Sequence, residues 1–348
     1  MAGIDRLSPI VTDKHLQAEK PILIKKNMKF NFYHSTCNAV LAIVSLFTFA
    51  FSYGQSKTVQ SGYQVITVGD TEIIALSDGT VAVSANELLT AKKPGSINLL
   101  LDQAYLKDPV EVSINAYLIK TKNNLILVDT GAGDLFGSFG GHLTASLKEA
   151  GYSPEAVTDI LITHIHVDHS GGLTVNNKML FANAVVHVNQ KEIDFWLTKL
   201  EAKKEDSNGV TQNRAAFIAL KPYLDAGKVK TFQGDVDLLP QIKSIEFVGH
   251  TAGHTVFVLE SKAEKLVFWG DLIHIAAVQL HHPDFLNGYD FDQQKAIAQR
   301  TKAYQLAAKE GYLIAADHIS FPGIGRIRKD QDAFIWVPAP YSMLGRNQ

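Results

Sequence analysis

Short apolar runs separated by Gly-Asp, Asp-Gly and Asn-Asn turns fill the chain from about Gly62 onward. The segments YQVITVGDTEIIALSDGTVAV and INAYLIKTKNNLILVDTGAG each hold two such runs around a turn. Apolar runs bounded by turn residues are typical of strands, and two runs that flank a tight turn predict an antiparallel pair. We therefore predict two antiparallel strand pairs at the start of the folded part of the chain.

The spacing of apolar residues changes after Gly137. In HLTASLKEAG, Leu143 and Leu147 stand at i and i+4 and Gly151 follows, which predicts a helix that ends at a glycine. The remaining segments predict, in chain order, two strands (DILIT, AVVHVN), a helix (QKEIDFWLTKLEAKK), a polar loop (EDSNGVTQNR), three strands (SIEFVGH, TVFVLES, KLVFWGD), a long helix (DQQKAIAQRTKAYQLAAKEG) and a last strand (YLIAADH). Strands that come in clusters, with helices after each cluster, predict two β-sheets with helices outside rather than a doubly wound parallel sheet.

The first part of the chain has a different pattern. Residues 39–51, AVLAIVSLFTFAF, are apolar apart from two hydroxyl residues, and lysines stand before them. A positive segment, an apolar run and a small-residue exit are typical of a secretory signal. The run is short for a membrane-spanning helix, which needs about 20 apolar residues. We predict a leader at residues 1–54 that contains this signal, and one folded domain at residues 62–348. A buried helix and an uncleaved membrane anchor are the alternatives for the apolar run.

The predicted signal has consequences for the mature protein. We expect it to be exported, periplasmic or secreted, with no membrane attachment once the signal is cleaved. Met28 is a natural start for such a signal, so the true start, Met1 or Met28, stays open. Cys37 is the single cysteine and precedes the apolar run, so it would leave with the leader. A metal site in the mature protein then has to use nitrogen and oxygen ligands.

Composition changes this picture little. The chain is 46% hydrophobic and 20% charged, with a formal net charge of -2. These are ordinary globular proportions, and they give no reason to expect a nucleic-acid partner held by bulk charge. The one short basic run, RIRK at residues 326–329, is typical of a solvated strand or loop face.

The stretch THIHVDHSGG at residues 163–172 concentrates histidine and aspartate directly after an apolar strand. In an extended segment, residues i and i+2 point the same way, so His164 and His166 face one point. Asp168 and His169 come where the chain must turn, and they can face a neighbouring point. This pattern predicts two adjacent metal ions.

Three more predicted strands end in a residue of the same kind. EFVGH ends at His250, LVFWGD ends at Asp271, and LIAADH ends at His318. Strands that all end in imidazole or carboxylate predict a shared rim. Both groups are good zinc ligands, and two four- or five-coordinate ions need about six to eight protein groups.

Together these motifs resemble those of the metallo-β-lactamase superfamily. Its fold is an α/β sandwich of the αβ/βα type, with two mixed β-sheets, helices on the outer faces and metals at one edge. The resemblance extends from about Tyr63 onward and is closest to the methyl parathion hydrolase group, on the segments ALSDGTVA, VDTGAG, LITHIHVDHSGGL, GHTAGHT, GDLIHIAAVQ and GYLIAADHISFPGIG. That group is similar to bacterial N-acyl-homoserine lactonases, and its members suggest a homodimer.

The resemblance implies a ligand set for two zinc ions. The first ion would be held by His164, His166 and His250, the second by Asp168, His169 and His318, and both would share Asp271. His254 in GHTAGH and Asp129 in VDTG would then orient ligands, with a structural role still open for the first and a turn role for the second. Zinc is the default metal, although iron, manganese or cobalt suits the same nitrogen and oxygen set.

A metal pair about 3.5–4 Å apart can share one hydroxide that attacks a carbonyl or phosphoryl centre. The expected chemistry is hydrolysis of a small molecule, namely a lactone of the N-acyl-homoserine type or a related ester. We expect Asp168 and His274 to be catalytic, with His274 donating a hydrogen bond to the lactone carbonyl or its oxyanion. Lactonases of the superfamily carry a tyrosine at the position of His274. The alternative is that His274 is an ordinary residue of the pocket wall. Phe136 and Trp196 are candidates for an apolar substrate pocket or for core packing.

Two other functions stay open. A phosphotriesterase of the methyl parathion hydrolase type is disfavoured by the polar stretch VTQNR at residues 210–214, where the resemblance implies an aromatic lid. A zinc-stabilised binding module without turnover is disfavoured by a bridging Asp271, because a bridging carboxylate suits catalytic pairs better than closed structural sites.

Overall fold

The computed structural model of the chain describes residues 60–198 and 212–342. The predicted leader at residues 1–54, with its apolar run at 39–51, lies outside these residues, so the signal and export stay predictions. Within the two described segments, no helix combines the length and the apolar character that a bilayer crossing needs.

The strands are β1 (Tyr63–Val68), β2 (Thr71–Val83), β3 (Leu89–Thr90), β4 (Val110–Lys120), β5 (Leu125–Val128), β6 (Asp159–Leu161), β7 (Thr174–Val175), β8 (Lys178–Met179), β9 (Val185–Asn189), β10 (Val229–Phe232), β11 (Val236–Leu239), β12 (Ile242–Glu246), β13 (Thr255–Ser261), β14 (Glu264–Phe268), β15 (Leu286–Asn287), β16 (Leu313–Ala315), β17 (Ile324–Asp330) and β18 (Ala333–Pro338). The helices are α1 (Ala85–Leu88), α2 (Ser96–Gln103), α3 (Leu143–Glu149), α4 (Val167–Ser170), α5 (Gln190–Thr198), α6 (Gln212–Asp225), α7 (Ala276–Gln279) and α8 (Gln293–Glu310).

Most strands belong to two seven-stranded sheets. The first has the order β1-β2-β4-β5-β6-β9-β10, and the second has the order β11-β12-β13-β14-β16-β17-β18. The neighbours from β5 to β10 in the first sheet run parallel, as do β14 and β16 in the second, while the remaining neighbours run antiparallel. Both sheets are therefore mixed. The two predicted strand pairs are confirmed as β1–β2 and β4–β5.

Strand β2 shows how the layers pack. Ile73 and Ala75 point to one side of the sheet and Ile74 and Leu76 to the other, and all four are buried. The first pair joins an apolar cluster between the two sheets, and the second pair joins a cluster beneath α3, α5 and α6. A third cluster joins the second sheet to α8. Helices thus cover both outer faces, and the predicted αβ/βα sandwich is confirmed.

One predicted loop is partly a helix. The sequence predicts a polar loop over residues 205–214, but residues 212–214 form the start of α6, and residues 205–211 lie outside the described part of the chain. Ala216, Leu220 and Tyr223 bury one face of this helix at three- and four-residue spacing. Much of that face is alanine, which packs without giving a strong apolar pattern in the sequence.

Other elements extend the prediction. The helix predicted over residues 190–204 is present as α5 as far as Thr198, where the first described segment ends. Helix α2 and the hairpin of β17 and β18 have no counterpart in the sequence prediction. The basic run at residues 326–329 lies on β17, and its charged side chains face solvent, as expected of a solvated strand.

Candidate metal centre

The predicted ligands meet at one edge of the sandwich because the strands that precede them end there. Strand β6 leads into the histidine-rich segment at residues 164–169. Strands β14 and β16 run parallel, and they lead to Asp271 and His318. His250 lies in the turn between β12 and β13. The structure brings all seven predicted ligands together.

The first donor group consists of His164, His166 and His250. The Nδ1 atom of His166 lies 2.9 Å from Nε2 of His164 and 3.1 Å from Nε2 of His250. One oxygen of Asp271, Oδ2, lies 3.1 Å from Nε2 of His250 and 3.5 Å from Nε2 of His164. These four donor atoms lie within 4.8 Å of one another, which suits a tetrahedral cation site.

The second donor group consists of Asp168, His169 and His318. The other oxygen of Asp271, Oδ1, lies 3.0 Å from Nε2 of His169 and 3.1 Å from Nε2 of His318. Asp168 Oδ2 lies 3.5 Å from Nε2 of His318 and 3.8 Å from Nε2 of His169. Asp271 therefore turns one oxygen toward each donor group, as a bridging ligand would.

Two atoms test whether this pocket of donors fits a cation pair. Nε2 of His169 and Oδ1 of Asp271 are buried, and neither has a hydrogen-bond partner despite their 3.0 Å separation. A buried polar atom without a partner costs about 1–3 kcal/mol, so such atoms need a reason to persist. Cations in the second donor group would satisfy both atoms. The residues present therefore fit a metal pair with nitrogen and oxygen ligands.

The outer nitrogens of the second group are held in place. His318 Nδ1 lies 2.8 Å from the carbonyl oxygen of Ser113, to which it donates. His169 Nδ1 lies 2.8 Å from Oδ2 of Asp129 and 3.0 Å from Oδ2 of Asp317. These contacts place the proton on Nδ1 and leave Nε2 free to bind a cation. Asp129 therefore orients a ligand, as the resemblance implies. Its backbone has a positive φ of 56°, a strained conformation that is common at functional sites.

The outer nitrogens of the first group have different partners. His250 Nδ1 donates to Oδ1 of Asp290 at 3.0 Å. The buried guanidinium of Arg300 donates to Oδ2 of the same carboxylate at 2.8 Å and to the carbonyl of Leu272 at 3.0 Å. Leu272 follows Asp271 directly, so one arginine ties the bridging aspartate to the residue that orients His250. His164 Nδ1 lies 3.1 Å from the hydroxyl of Thr163.

His164, His166 and Asp271 take the form that binds a cation at neutral pH. Burial, together with neighbouring histidines, lowers the pKa of His164 and His166 well below the ordinary value, so both are neutral. Burial by itself would raise the pKa of Asp271, but the surrounding histidines, His169 first, outweigh it and hold that pKa well below the ordinary range. The Asp271 carboxylate is therefore ionised, as a metal ligand must be.

The backbone at Asp271 is tightly placed. Gly270 has a φ of +53°, and a Cβ there would lie 2.8 Å from Nε2 of His254. That nitrogen accepts the backbone N–H of Asp271 at 3.1 Å. Burial lowers the pKa of His254 to about 3, which keeps the ring neutral and able to accept. His254 thus belongs to neither donor group but positions the bridging aspartate.

A cavity of about 420 Å³ borders both donor groups. It is lined by Val81, Ala82, Val83, Val112, Phe136, His166, Val167, Asp168, Asp271, His274, Gly288, Tyr289 and His318. Phe136 and His274 therefore lie where a substrate residue should. Trp196 is not among the lining residues; it belongs to the core beneath the first sheet and packs edge-on against His166, with ring centroids 5.3 Å apart.

A chain of hydrogen bonds fixes the His274 ring. The backbone N–H of Tyr289 donates to Oδ1 of Asn287 at 3.0 Å, so the amide nitrogen of Asn287 faces the other way. That nitrogen donates to Nδ1 of His274 at 3.1 Å. The proton of a neutral His274 must then sit on Nε2, which lies 3.1 Å from Oδ2 of Asp271. His274 is thus set as a hydrogen-bond donor at the rim of the donor groups.

Several buried polar residues that hold the site have no counterpart in the sequence prediction. They are Glu192, Asn287, Asp290, Arg300 and Asp317. Most lie far along the chain from the ligand that they support, in segments without a motif. Only Asp317 carries a signal, since it stands directly before His318 in AADH.

Comparisons with known proteins agree with this geometry. The sequence profile described as the metallo-beta-lactamase superfamily matches residues 109–319. An N-acyl homoserine lactonase from Bacillus sp. is 27% identical over 242 residues, which cover 64% of this chain and 86% of the relative. N-acyl homoserine lactonase AiiA from Bacillus thuringiensis subsp. kurstaki is 24% identical over 221 residues, covering 58% and 79%.

Two solved structures are similar over nearly their whole length. The hydrolase AbOPH of the beta lactamase superfamily is 35% identical with a TM-score of 0.77, and the match covers 82% of this chain and 100% of that one. AidC, a dizinc quorum-quenching lactonase solved with a homoserine product, is 30% identical with a TM-score of 0.74, covering 81% and 99%. The family resemblance that the sequence motifs carry is confirmed.

Proposed function

The chain belongs to the metallo-beta-lactamase superfamily of hydrolases, and from this premise we propose that it opens lactones of the N-acyl-homoserine type at a pair of zinc ions. The observation that carries the proposal is the placement of Asp271, with Oδ2 at the first donor group and Oδ1 at the second. The lactonase names of several relatives support the substrate class.

The donor groups would hold the metal, and residues of the cavity would act on the substrate. When bound at these residues, zinc would supply Lewis acidity and would lower the pKa of a bound water to about 7. Asp168 offers one oxygen to the second donor group and also lines the cavity, so it can accept a hydrogen bond from a water or a substrate there. We propose Asp168 and His274 as the residues that act on the reacting groups.

His274 supplies the hydrogen bond that a lactone needs. Asn287 holds the ring so that Nε2–H points to the rim of the donor groups. A carbonyl oxygen that enters the cavity beside Asp271 can accept this N–H, and the bond strengthens as charge develops on that oxygen. The apolar wall, with Val83, Val112 and Phe136, then suits the acyl chain.

The experiment compares three substrates on the full chain, namely N-hexanoyl homoserine lactone, a p-nitrophenyl ester and paraoxon. We expect the lactone to give the highest kcat/KM, with two zinc ions per chain by metal analysis. His274→Leu should lower kcat for the lactone by about 100-fold, in the range found when one oxyanion donor is removed. His274→Gln, which keeps a side-chain N–H, should recover part of that loss.

The other outcomes separate the alternatives. Preference for paraoxon would identify a phosphotriesterase and overturn the substrate proposal. Two zinc ions with no turnover of any substrate would identify a binding module. An unchanged His274→Leu enzyme would remove the role of that residue and leave the lactone question to the substrate comparison.

We further propose that the leader directs export, so that the mature enzyme meets lactones outside the cytoplasm. Mass spectrometry of protein purified from the periplasm and the medium tests this. A mature N-terminus near Gln55 supports the proposal, and an intact Met1 overturns it. The homodimer that the resemblance suggests stays a prediction.

A further inference from the structure

Glu192 is a carboxylate that the proposed chemistry does not use. It lies in the first turn of α5, and its relative exposure is 0%. Within the described part of the chain it forms no salt bridge, so its charge is balanced by hydrogen bonds alone. A buried carboxylate is costly unless its oxygens are satisfied, which makes its partners informative.

Three N–H groups from three different segments donate to Glu192. The backbone N–H of Ile165 donates to Oε2 at 2.9 Å, and the indole N–H of Trp196 donates to the same oxygen at 2.9 Å. The backbone N–H of Gly253 donates to Oε1 at 2.6 Å. Charge-assisted bonds of this kind are about twice as strong as neutral ones, so the carboxylate can hold the three segments together.

Each partner leads to a histidine of the first donor group. Ile165 stands between His164 and His166 in the chain. Gly253 belongs to the turn that begins at His250. The third partner, Trp196, packs its ring against His166. Glu192 therefore bonds to residues that hold all three imidazoles in place.

The turn at Gly253 is pressed onto the start of α5. A Cβ at this position would lie 3.0 Å from the backbone nitrogen of Glu192 and 3.0 Å from Cγ of Asn189. That contact is tighter than an ordinary van der Waals contact, so a larger residue would push the turn away. The short approach brings the N–H of Gly253 within reach of the carboxylate.

From these contacts we propose that Glu192 is a positioning residue, which sets the spacing of the two histidine-bearing segments so that the first donor group binds its cation. The hydrogen bonds of Glu192 reach the first group and not Asp168, His169 or His318. Its loss should therefore weaken one metal site selectively. The inference rests on the proposed metal pair and not on the proposed substrate.

The test is Glu192→Gln in the full chain, with zinc affinity measured by competition against a chromophoric chelator. Glutamine keeps the shape but presents an NH₂ group to at least one of the donors. We expect one site to weaken by about 10- to 100-fold, as for other residues that orient ligands. The other site should change less than threefold. Cobalt-substituted protein should show an altered visible band for one of its two ions.

Two variants serve as controls. Asp78→Asn makes the same change at another buried carboxylate that accepts backbone N–H groups, from Ala132, Gly141 and Leu143, outside both donor groups. It should lower the melting temperature without changing either zinc affinity by more than threefold. Trp196→Phe removes one N–H and keeps a ring beside His166, so its effect on the weakened site should be smaller than that of Glu192→Gln.

Two results would overturn the proposal. One is wild-type zinc affinity at both sites in Glu192→Gln. The other is equal weakening of both sites with a fall in melting temperature that Asp78→Asn reproduces, since a general loss of stability would then explain the effect. If the wild-type protein binds zinc normally but opens no lactone, the substrate proposal is contradicted and the proposal for Glu192 is unaffected.

Discussion

The two donor groups share Asp271 but are built in different ways. In the first group, His250 donates to Asp290, which pairs with Arg300 of helix α8. In the second group, His318 donates to a strand carbonyl, and His169 faces two more carboxylates. The first group is thus backed by the pair of Asp290 and Arg300, and the second by a backbone carbonyl and the carboxyl groups of Asp129 and Asp317.

The pKa shifts express this difference. Burial dominates at His164, where it lowers the pKa well below the ordinary value. Burial acts in the same direction at His169, but the carboxylates of Asp271, Asp168 and Asp129 outweigh it and raise that pKa well above the ordinary value. The second group therefore needs positive charge, from a proton or a cation, more than the first does. When no metal is bound, we therefore expect the segments around the second group to be less stable than those around the first.

The largest effect should come from the residue that both groups share. Asp271→Ala removes a ligand oxygen from each group, so we expect zinc to fall from two ions per chain to below one. The expected loss in kcat/KM exceeds about 100-fold, because removing a residue that only orients a ligand already costs about 10- to 100-fold. Metal analysis and steady-state kinetics measure both quantities. An exposed histidine outside the site supplies the control, His281→Ala. Retention of one tightly bound zinc would show that the groups are not coupled through this carboxylate.

The next variant separates the groups in the absence of metal. His169→Ala leaves the buried carboxylates of Asp129 and Asp271 without the imidazole that lies between them. Removing one member of a buried charged set costs about 3–5 kcal/mol, and we expect a loss of that order in the free energy of unfolding. His164→Ala is the matched change in the first group, since His164 is as buried as His169, and an ordinary cost of about 1 kcal/mol is expected there. Urea unfolding in excess chelator compares the two. Equal losses would contradict the charge difference between the groups.

The same contrast shows what the sequence could predict. His164, His166, Asp168 and His169 lie in one short string, so their shared site follows from strand geometry and local spacing. The remaining three ligands follow apolar strands, and the resemblance assigns their roles. The sandwich itself follows from the order of strands and helices, because apolar faces must be buried in layers.

The supporting residues could not be predicted in this way. Glu192 reaches Gly253, 61 residues away, only because α5 and a distant turn meet in space, and Arg300 reaches Leu272 across 28 residues. No local pattern marks a buried polar side chain whose partners are backbone groups elsewhere. Trp196 illustrates the same limit, since this candidate for an apolar substrate pocket lies in the core and not in the cavity. Pairings of this kind depend on tertiary packing.

A smaller effect should be confined to the first group. Asp290→Asn keeps an acceptor for His250 Nδ1 but leaves the buried guanidinium of Arg300 without its counter-charge. We expect about tenfold weaker zinc binding at one site and little change at the other, since a residue that orients a single ligand is altered. Zinc competition measures both affinities. Arg300→Lys keeps the charge but loses the planar fork, and it should weaken the same site. Weakening of both sites by Asp290→Asn would mean that the network reaches the second group.

The smallest effect is expected from Asp159→Asn, which tests how a carboxyl outside both groups makes the free energy of unfolding depend on pH. Asp159 begins the strand β6 that leads to the histidines, and it pairs with His187 at 2.9 Å. Burial opposes ionisation of Asp159, but hydrogen bonds from His187 and Thr158 outweigh it and lower the pKa of the carboxyl. A lowered pKa in the folded state adds stability above the unfolded value of about 3.9, and that stability is lost as the pH falls through the folded value.

Because the pair is partly exposed, we expect Asp159→Asn to remove less than about 1 kcal/mol near neutral pH, with the difference from wild type vanishing in acid. Urea unfolding between pH 3 and pH 7 in chelator measures this difference. An equal difference at every pH would mean that the carboxylate stabilises the fold only through packing and not through its charge.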